Sequence, residues 1–264
     1  MAYFDGPRPR LFAHRGASGT FPENTIEAFE AGLAAGADRI ELDVHGTADG
    51  QVVVFHDESL ERTTNGTGLV RQHTLADLRQ YDAGYNFKAP DGSWPYRGRG
   101  IRIPTLEEVL ARFPHTPLNI EIKQEKPHLE RAVLEAIDRA RARERVLLAG
   151  EDQRVLERAR ALAPDVVTSF SALEVASFVS VCQSEALESY VPPGVALQVP
   201  ARYQDIEIVT PAFVDSAHEL GLEVHVWTIN DEEEMLRLID LHVDGTMSDF
   251  PARLWNVYEL RGLR

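Results

Sequence analysis

The stretch IELDVHGTADGQVVVFHD, Ile40–Asp57, predicts two short β-strands joined by a tight turn. The runs Ile40–Val44 and Val52–His56 are rich in β-branched and apolar residues, and the Asp49-Gly50 pair between them is a strong signal for a two-residue hairpin loop. Parallel neighbours need a connection of about a dozen residues or more, which this stretch does not have. The two runs are therefore predicted to be antiparallel, with Val52–His56 as a return arm outside any parallel sheet.

Elsewhere, β-rich runs alternate with helical patterns, which favours a parallel sheet. With the return arm set aside, eight candidate strands remain, as a closed barrel requires. They are Leu11–His14, Ile40–Val44, Leu118–Lys123, Val146–Ala149, Val166–Phe170, Val195–Val199, Glu223–Trp227 and Val243–Met247. We therefore predict an α/β fold, a TIM-type (β/α)8 barrel that forms one domain over residues 1–264. The hairpin and a small insertion, about residues 57–102, follow the second strand.

Several helix starts are marked by residues that can bond the free N–H groups of a first helical turn. The predicted N-caps are Asn24, Thr105, Ser171 and Thr210. In the first three cases a glutamate three positions further on completes a capping box. These signals place helices between the strands, as the barrel prediction requires.

The composition limits the possible partners. Asp and Glu number 42 against 27 Lys and Arg, so the formal net charge is -15, and such a chain is a poor partner for nucleic acid or an anionic membrane. No run approaches the ~20 apolar residues of a membrane span, and the N-terminus does not resemble a secretory signal. The single cysteine, Cys182, cannot form an intramolecular disulfide. We expect a cytoplasmic location without nucleic acid or a membrane anchor, and the oligomeric state stays open.

The predicted hairpin also places polar side chains. With a two-residue loop, Asp43 faces His56, and directly opposed residues have Cβ atoms about 4.5–5.5 Å apart. Glu41 lies two residues from Asp43 and therefore points to the same face of the strand. These three residues would meet at the carboxyl end of the second strand, where barrels build active sites. A register shifted by one residue would separate them.

A further strand contributes an ionisable pair. Glu121 and Lys123 are two residues apart, so both can face the barrel axis, where an unpaired charge is costly. A cation held by Glu41, Asp43 and Glu121 would satisfy all three carboxylates, and hard divalent ions such as Mg²⁺ and Ca²⁺ prefer oxygen ligands. The alternative is an internal salt-bridge network of Glu121 with Lys123 and Arg15. The pattern alone leaves both open.

Two histidines stand at strand ends near these charges. His14 and His56 suit general acid–base chemistry, because imidazole gains and loses a proton near neutral pH. Arg15 and Lys123 suit an anionic substrate, since arginine can hold a phosphate through two donors. The residue pattern thus indicates acid–base chemistry on an anionic substrate.

The same segments resemble one enzyme family. Motifs similar to those of glycerophosphodiester phosphodiesterases occur in the right order from about Leu11 to Pro251, and the combination of HRG, ENT, E-x-D-V and FHD is highly specific. The matching segments are Ala13–Phe29, Ile40–Asp57, Arg62–Gly68, Ile103–Leu110, Asn119–Lys123, Val224–Asn230 and Val243–Pro251.

The resemblance implies a role for each candidate residue. His14 and His56 match the two catalytic histidines of the family. The metal-binding carboxylates correspond to Glu41, Asp43 and Glu121, the phosphate-binding groups to Arg15 and Lys123, and an aromatic residue near the substrate to Trp227. The closing motif departs slightly from the family, with Ser248-Asp249 where Thr-Asp is common. This departure is expected to touch none of these roles.

The resemblance implies metal-dependent hydrolysis of glycerophosphodiesters, such as glycerophosphocholine or glycerophosphoethanolamine, to sn-glycerol 3-phosphate and an alcohol. One divalent cation is expected, Mg²⁺ or Ca²⁺ first and Mn²⁺ next. His14 is favoured as base and His56 as acid, although the sequence does not fix that order. A lysophospholipase D-like enzyme and a phosphodiester-binding barrel without catalysis are the alternatives.

Overall fold

The structure, a computed structural model, describes residues 2–182 and 187–264. Its strands are β1 (Arg10–His14), β2 (Arg39–Gly46), β3 (Val52–Val54), β4 (Leu118–Ile122), β5 (Val146–Ala149), β6 (Val167–Thr168), β7 (Ala196–Pro200), β8 (Arg202–Tyr203), β9 (Ile206–Glu207), β10 (Glu223–Trp227) and β11 (Gly245–Ser248). Its α-helices are α1 (Ile26–Ala34), α2 (Leu75–Leu78), α3 (Leu106–Arg112), α4 (Glu130–Arg139), α5 (Gln153–Leu162), α6 (Ala172–Cys182), α7 (Pro211–Glu219), α8 (Glu232–Asp240) and α9 (Pro251–Leu260).

Eight of these strands form a nearly closed parallel barrel in the described residues. Their order is β6-β5-β4-β2-β1-β11-β10-β7, and every pair along it is parallel. A parallel bridge between Ser169 and Ala196 joins the two ends, where the Phe170 N–H donates to the Ala196 carbonyl over 3.0 Å. The predicted barrel and its eight strands are confirmed.

The alternation of side chains along the strands sorts the barrel into two surfaces. On β2, Ile40, Leu42 and Val44 belong to the hydrophobic cluster under the outer helices. Because neighbouring side chains on a strand point to opposite faces, Glu41 and Asp43 face the barrel axis. The same alternation on β4 turns its apolar residues outward and Asn119 and Glu121 inward.

The β2–β3 hairpin is antiparallel as predicted, but its register was predicted wrongly by one residue. Val44 faces Val54, and Phe55 N–H donates to the Asp43 carbonyl over 2.9 Å, so Phe55 stands where His56 was expected. The hydrogen bonds of Thr47 explain why the turn is longer than the predicted two-residue loop. Its N–H donates to the Gln51 carbonyl, and its hydroxyl oxygen accepts from Gln51 N–H, both at 2.9 Å.

The first helix also starts one residue later than predicted. Thr25, and not Asn24, is the N-cap of α1, and its hydroxyl accepts from the Ala28 N–H over 3.2 Å. Asn24 instead has a φ of +57°, a conformation that asparagine tolerates better than most residues. The predicted caps Thr105, Ser171 and Thr210 are confirmed.

The segment between β3 and α3 packs around a small cluster of its own, centred on Leu60, Leu78 and Ile103. The Tyr96 hydroxyl donates to the Thr20 carbonyl over 2.8 Å and ties this segment to the β1–α1 loop. The insertion therefore borders the carboxyl end of the barrel. Among the described residues, no helix combines the length and the apolar character that spanning a bilayer requires.

Candidate active site

The parallel register places the candidate residues side by side at the carboxyl ends of three strands. His14 on β1 is paired with Glu41 on β2, and Asp43 on β2 is paired with Glu121 on β4. After His14 the chain turns sharply, because Arg15 and Gly16 both have positive φ. This turn lets the Arg15 N–H donate to Glu41 Oε2 over 3.0 Å.

The carboxylates Glu41, Asp43 and Glu121 form one cluster. Each offers an oxygen that lies within 4.8 Å of the others. Lys123 Nζ is 2.8 Å from Glu121 Oε1 and 3.4 Å from Asp43 Oδ1, and Arg15 Nε is 3.2 Å from Asp43 Oδ2. Part of the alternative salt-bridge network thus exists, with Arg15 on Asp43 instead of Glu121.

These ion pairs do not neutralise the cluster. Two permanently charged side chains, Arg15 and Lys123, face three carboxylates. A further group that could carry positive charge is His14, whose Nε2 is 4.0 Å from Glu41 Oε2. Burial, and then the negative charge of Asp43, raise the pKa of Glu41 to about 7. Burial also raises the pKa of Glu121. For Asp43 burial acts in the same direction, but the charges of Lys123 and Arg15 outweigh it and lower its pKa.

The donor set fits a hard divalent cation, since it consists of carboxylate oxygens gathered from two adjacent strands. Two of these oxygens, Asp43 Oδ1 and Glu121 Oε1, are buried, and both lie beside the same ammonium group, Lys123 Nζ. One ammonium group leaves these two carboxylate oxygens short of hydrogen-bond partners, and such buried acceptors call for an ion or a water molecule. The excess negative charge and the incompletely paired oxygens therefore point to the same place for a cation.

His14 is held by a carboxylate from the far end of the chain. Its Nδ1–H donates to Asp249 Oδ1 over 2.7 Å, which leaves Nε2 toward Glu41 and the Thr228 hydroxyl at 3.5 Å. Burial lowers the pKa of His14, but the Asp249 hydrogen bond and the Glu41 charge outweigh it, so the net shift is upward. Asp249 itself has its pKa lowered to about 2, although burial opposes this.

His56 has a matching arrangement. Its Nδ1–H donates to Asp57 Oδ1 over 2.6 Å, and Arg62 fixes Asp57 through two hydrogen bonds. Burial is the largest cause of the lowered pKa of His56, and the charge of Arg15 adds to it. His56 lies beyond the end of β3, so the strand alternation no longer decides which way its side chain points.

Sequence reasoning missed the residues that orient this site. Asp249 contacts His14, yet no role was predicted for Asp249 from the sequence. The available signal was an aspartate directly after the last barrel strand, at the end where active sites are built. Asn24 was assigned to a helix cap, yet its Nδ2–H donates to Asp43 Oδ2 over 2.8 Å.

Trp227 is the last residue of β10, and the residue is 36% exposed at the rim of the barrel. The following residue, Thr228, approaches His14, so Trp227 borders the site without being bonded to its charged groups in the described structure. Its role as a substrate contact stays a prediction.

Comparison with known proteins places this geometry in a family. A glycerophosphodiester phosphodiesterase of Bacillus altitudinis is 33% identical over 260 residues, covering 95% of this chain and 98% of the relative. Lysophospholipase D GDPD1 of Homo sapiens is 29% identical over 264 residues, covering 92% of this chain and 84% of the relative.

A solved structure of an Oleispira antarctica phosphodiesterase in complex with the product sn-glycerol-3-phosphate is 30% identical, with a TM-score of 0.75. The match covers 96% of this chain and 97% of that one. A model of the glycerophosphoryl diester phosphodiesterase family matches residues 14–253. This chain therefore belongs to the glycerophosphoryl diester phosphodiesterase family.

Proposed function

We propose that this protein hydrolyses glycerophosphodiesters to sn-glycerol 3-phosphate and an alcohol. The observation that supports the proposal best is the arrangement at the barrel mouth, where two histidines with aspartate partners flank three carboxylates and two cations. The relatives named for this activity, and the solved relative with sn-glycerol-3-phosphate, support the substrate class.

Glu41, Asp43 and Glu121 would hold one divalent cation, with Mg²⁺ or Ca²⁺ as the first candidates and Mn²⁺ as the next. When bound, such an ion neutralises phosphate charge and acts as a Lewis acid. Arg15 and Lys123 would hold the phosphoryl oxygens, because both cations already lie beside the cluster. Trp227 would line the substrate at the rim.

The two histidines divide the proton transfers. His14 would act as base on the attacking hydroxyl, which by family resemblance is the 2-hydroxyl of the substrate's glycerol, giving a cyclic phosphodiester that water then opens. If Glu41 holds a cation, the upward effect of the Glu41 charge on the His14 pKa would weaken, which would favour the neutral imidazole that a base requires. The His56 side chain is 28% exposed against 13% for His14, which suits an acid that protonates a departing alcohol on the open side.

Two measurements test this proposal. Metal-stripped protein should be inactive on glycerophosphocholine and glycerophosphoethanolamine and recover when Mg²⁺, Ca²⁺ or Mn²⁺ is restored. His14→Ala and His56→Ala should each lose at least about 100-fold in kcat, because general acid–base catalysis contributes about 10²–10⁴-fold. Full activity after thorough chelation would contradict the cation site, and near-wild-type turnover of either folded variant would contradict the histidine roles.

The human relative named lysophospholipase D favours a second candidate substrate. Comparing kcat/KM on glycerophosphocholine with that on lysophosphatidylcholine separates the two, and a preference for the lysolipid would replace the first proposal. Binding of glycerophosphocholine without turnover in the presence of each cation would instead indicate a binding barrel without catalysis.

A further inference from the structure

The insertion after the hairpin differs in charge from the rest of the chain. Residues 57–102 contain seven Lys and Arg against six Asp and Glu, whereas the whole chain has 27 against 42. Three of its arginines line one open cleft of about 350 Å³, together with two tyrosines and an asparagine. These residues are Arg79, Arg97, Arg102, Tyr81, Tyr85 and Asn65. The cleft includes none of the residues of the barrel-mouth site.

Arg97 is fixed before any ligand arrives. Its guanidinium carbon lies 4.1 Å from the centre of the Trp94 ring and 4.2 Å from that of Tyr85, and its Nε–H donates to the Tyr85 carbonyl over 2.8 Å. Stacking and this one bond hold the plane of the guanidinium while leaving its terminal N–H groups free of ion pairs in the described residues. A pre-oriented arginine loses little conformational entropy when it binds an anion.

The other arginines add donors on the same cleft. Arg102 donates to the Arg79 carbonyl and forms no ion pair among the described residues, while Arg79 pairs with Glu108 over 2.7 Å. One carboxylate, Asp82, also lines the cleft, but its oxygens already accept from the N–H groups of Gly84 and Gly98. The cleft therefore carries a net positive charge, and its one carboxylate is already engaged by backbone N–H groups.

We propose that this cleft is a second ligand site, which binds a phosphate-bearing anion independently of the barrel-mouth reaction. Planar guanidinium groups match phosphate oxygens through paired N–H donors. The volume suits a small ligand, since such sites typically occupy about 300–1,000 Å³. The tyrosine walls also leave room for an organic group attached to the phosphate.

The test is calorimetric titration of metal-stripped protein at low ionic strength, with inorganic phosphate and with phenyl phosphate as separate probes. Arg97→Ala and Arg102→Ala should each weaken binding at least about tenfold, because each removes charged N–H donors to the anion. Arg99→Ala is the matched control, since it removes the same charge from the same loop but does not line the cleft. Tighter binding of phenyl phosphate would identify an organic phosphate, and equal binding would identify free phosphate.

The expected pattern is loss in Arg97→Ala and Arg102→Ala, binding within about twofold of wild type in Arg99→Ala, and unchanged kcat/KM on glycerophosphocholine in all three. If Arg97→Ala fails to fold, Arg102→Ala decides alone. Three outcomes would overturn the proposal. The first is an equal loss of binding in all three variants. The other two are absence of binding to either probe and binding to phosphatidylglycerol vesicles that depends equally on all three arginines. The last two outcomes would indicate no anion site and a diffuse lipid-binding surface, respectively.

Discussion

Replacement of Asp249 by asparagine removes one negative charge beside His14 while hardly changing the size of the side chain. Asp249 Oδ1 accepts from His14 Nδ1–H over 2.7 Å and from the Ser18 hydroxyl over 2.8 Å, and Oδ2 accepts from Asn230 Nδ2–H over 2.7 Å. An asparagine has only one oxygen, so one of these contacts must face an amide NH₂ group. Whichever way it turns, the support of His14 changes.

If the new NH₂ faces His14, it donates to Nδ1 and drives the imidazole proton onto Nε2, which then cannot accept a proton from substrate. If it faces Asn230, two NH₂ groups meet and His14 keeps a neutral partner without the charge. The expected cost lies between the ordinary contribution of acid–base catalysis and that of a wrong tautomer, a loss of about 10²–10⁴ in kcat or about 3–5 kcal/mol. KM should change much less.

The assay is steady-state hydrolysis of glycerophosphocholine from pH 5 to pH 9, alongside circular dichroism to confirm folding. Because the Asp249 bond raises the pKa of His14, the pH limb assigned to His14 should move to lower pH in the variant. Asp244→Asn is the matched control, since Asp244 accepts from His218 over 2.8 Å beside the amino end of β11. A folded Asp249→Asn protein with kcat within about threefold of wild type and an unshifted pH profile would show that catalysis does not depend on the Asp249–His14 bond.

Three further outcomes are expected. Burial opposes ionisation of Glu223, but the Arg10 hydrogen bonds lower its pKa from 4.5 to about 2. The ionised carboxylate therefore contributes about 3 kcal/mol to the free energy of unfolding above pH 4.5, and this contribution is lost as the pH falls toward 2. In urea unfolding, the stability deficit of Glu223→Gln should shrink between pH 7 and pH 3, and a constant deficit would contradict the prediction. Saturating Mg²⁺, Ca²⁺ or Mn²⁺ at about 100 times Kd should stabilise the wild type by about 2.7 kcal/mol in thermal unfolding, and an equal effect on Asp43→Asn would argue against the carboxylate site. Thr105→Ala should cost about 1 kcal/mol by losing the α3 cap, with kcat unchanged, and altered kcat would show that this cap also shapes the site.

Much of the architecture followed from local patterns. The period-two alternation around Glu41, Asp43 and Glu121 predicted that these carboxylates face the barrel axis, and the structure brings their oxygens together. The Asp49-Gly50 turn correctly made the hairpin antiparallel, which left eight strands for the barrel. Such features depend on neighbours within a few residues, so the sequence carries them directly.

Other features were decided by finer or longer-range contacts. The Thr47 hydrogen bonds shifted the hairpin by one residue, and His56 reaches the site from beyond the strand instead of through the ladder. Asn24 bonds Asp43 and leaves the cap to Thr25, because a buried carboxylate needs a donor more than the helix needs that particular cap.

Local sequence patterns were enough to predict the strands, their outward and inward faces and the types of residue at the strand ends, because turn chemistry and side-chain alternation act over a few residues. Long-range packing, by contrast, brings Asp249 to His14 across 235 positions of the chain and places Arg97 and Arg102 on one cleft. Barrel closure and loop packing choose such partners, and they depend on how all the elements fit together, which no short stretch of sequence specifies.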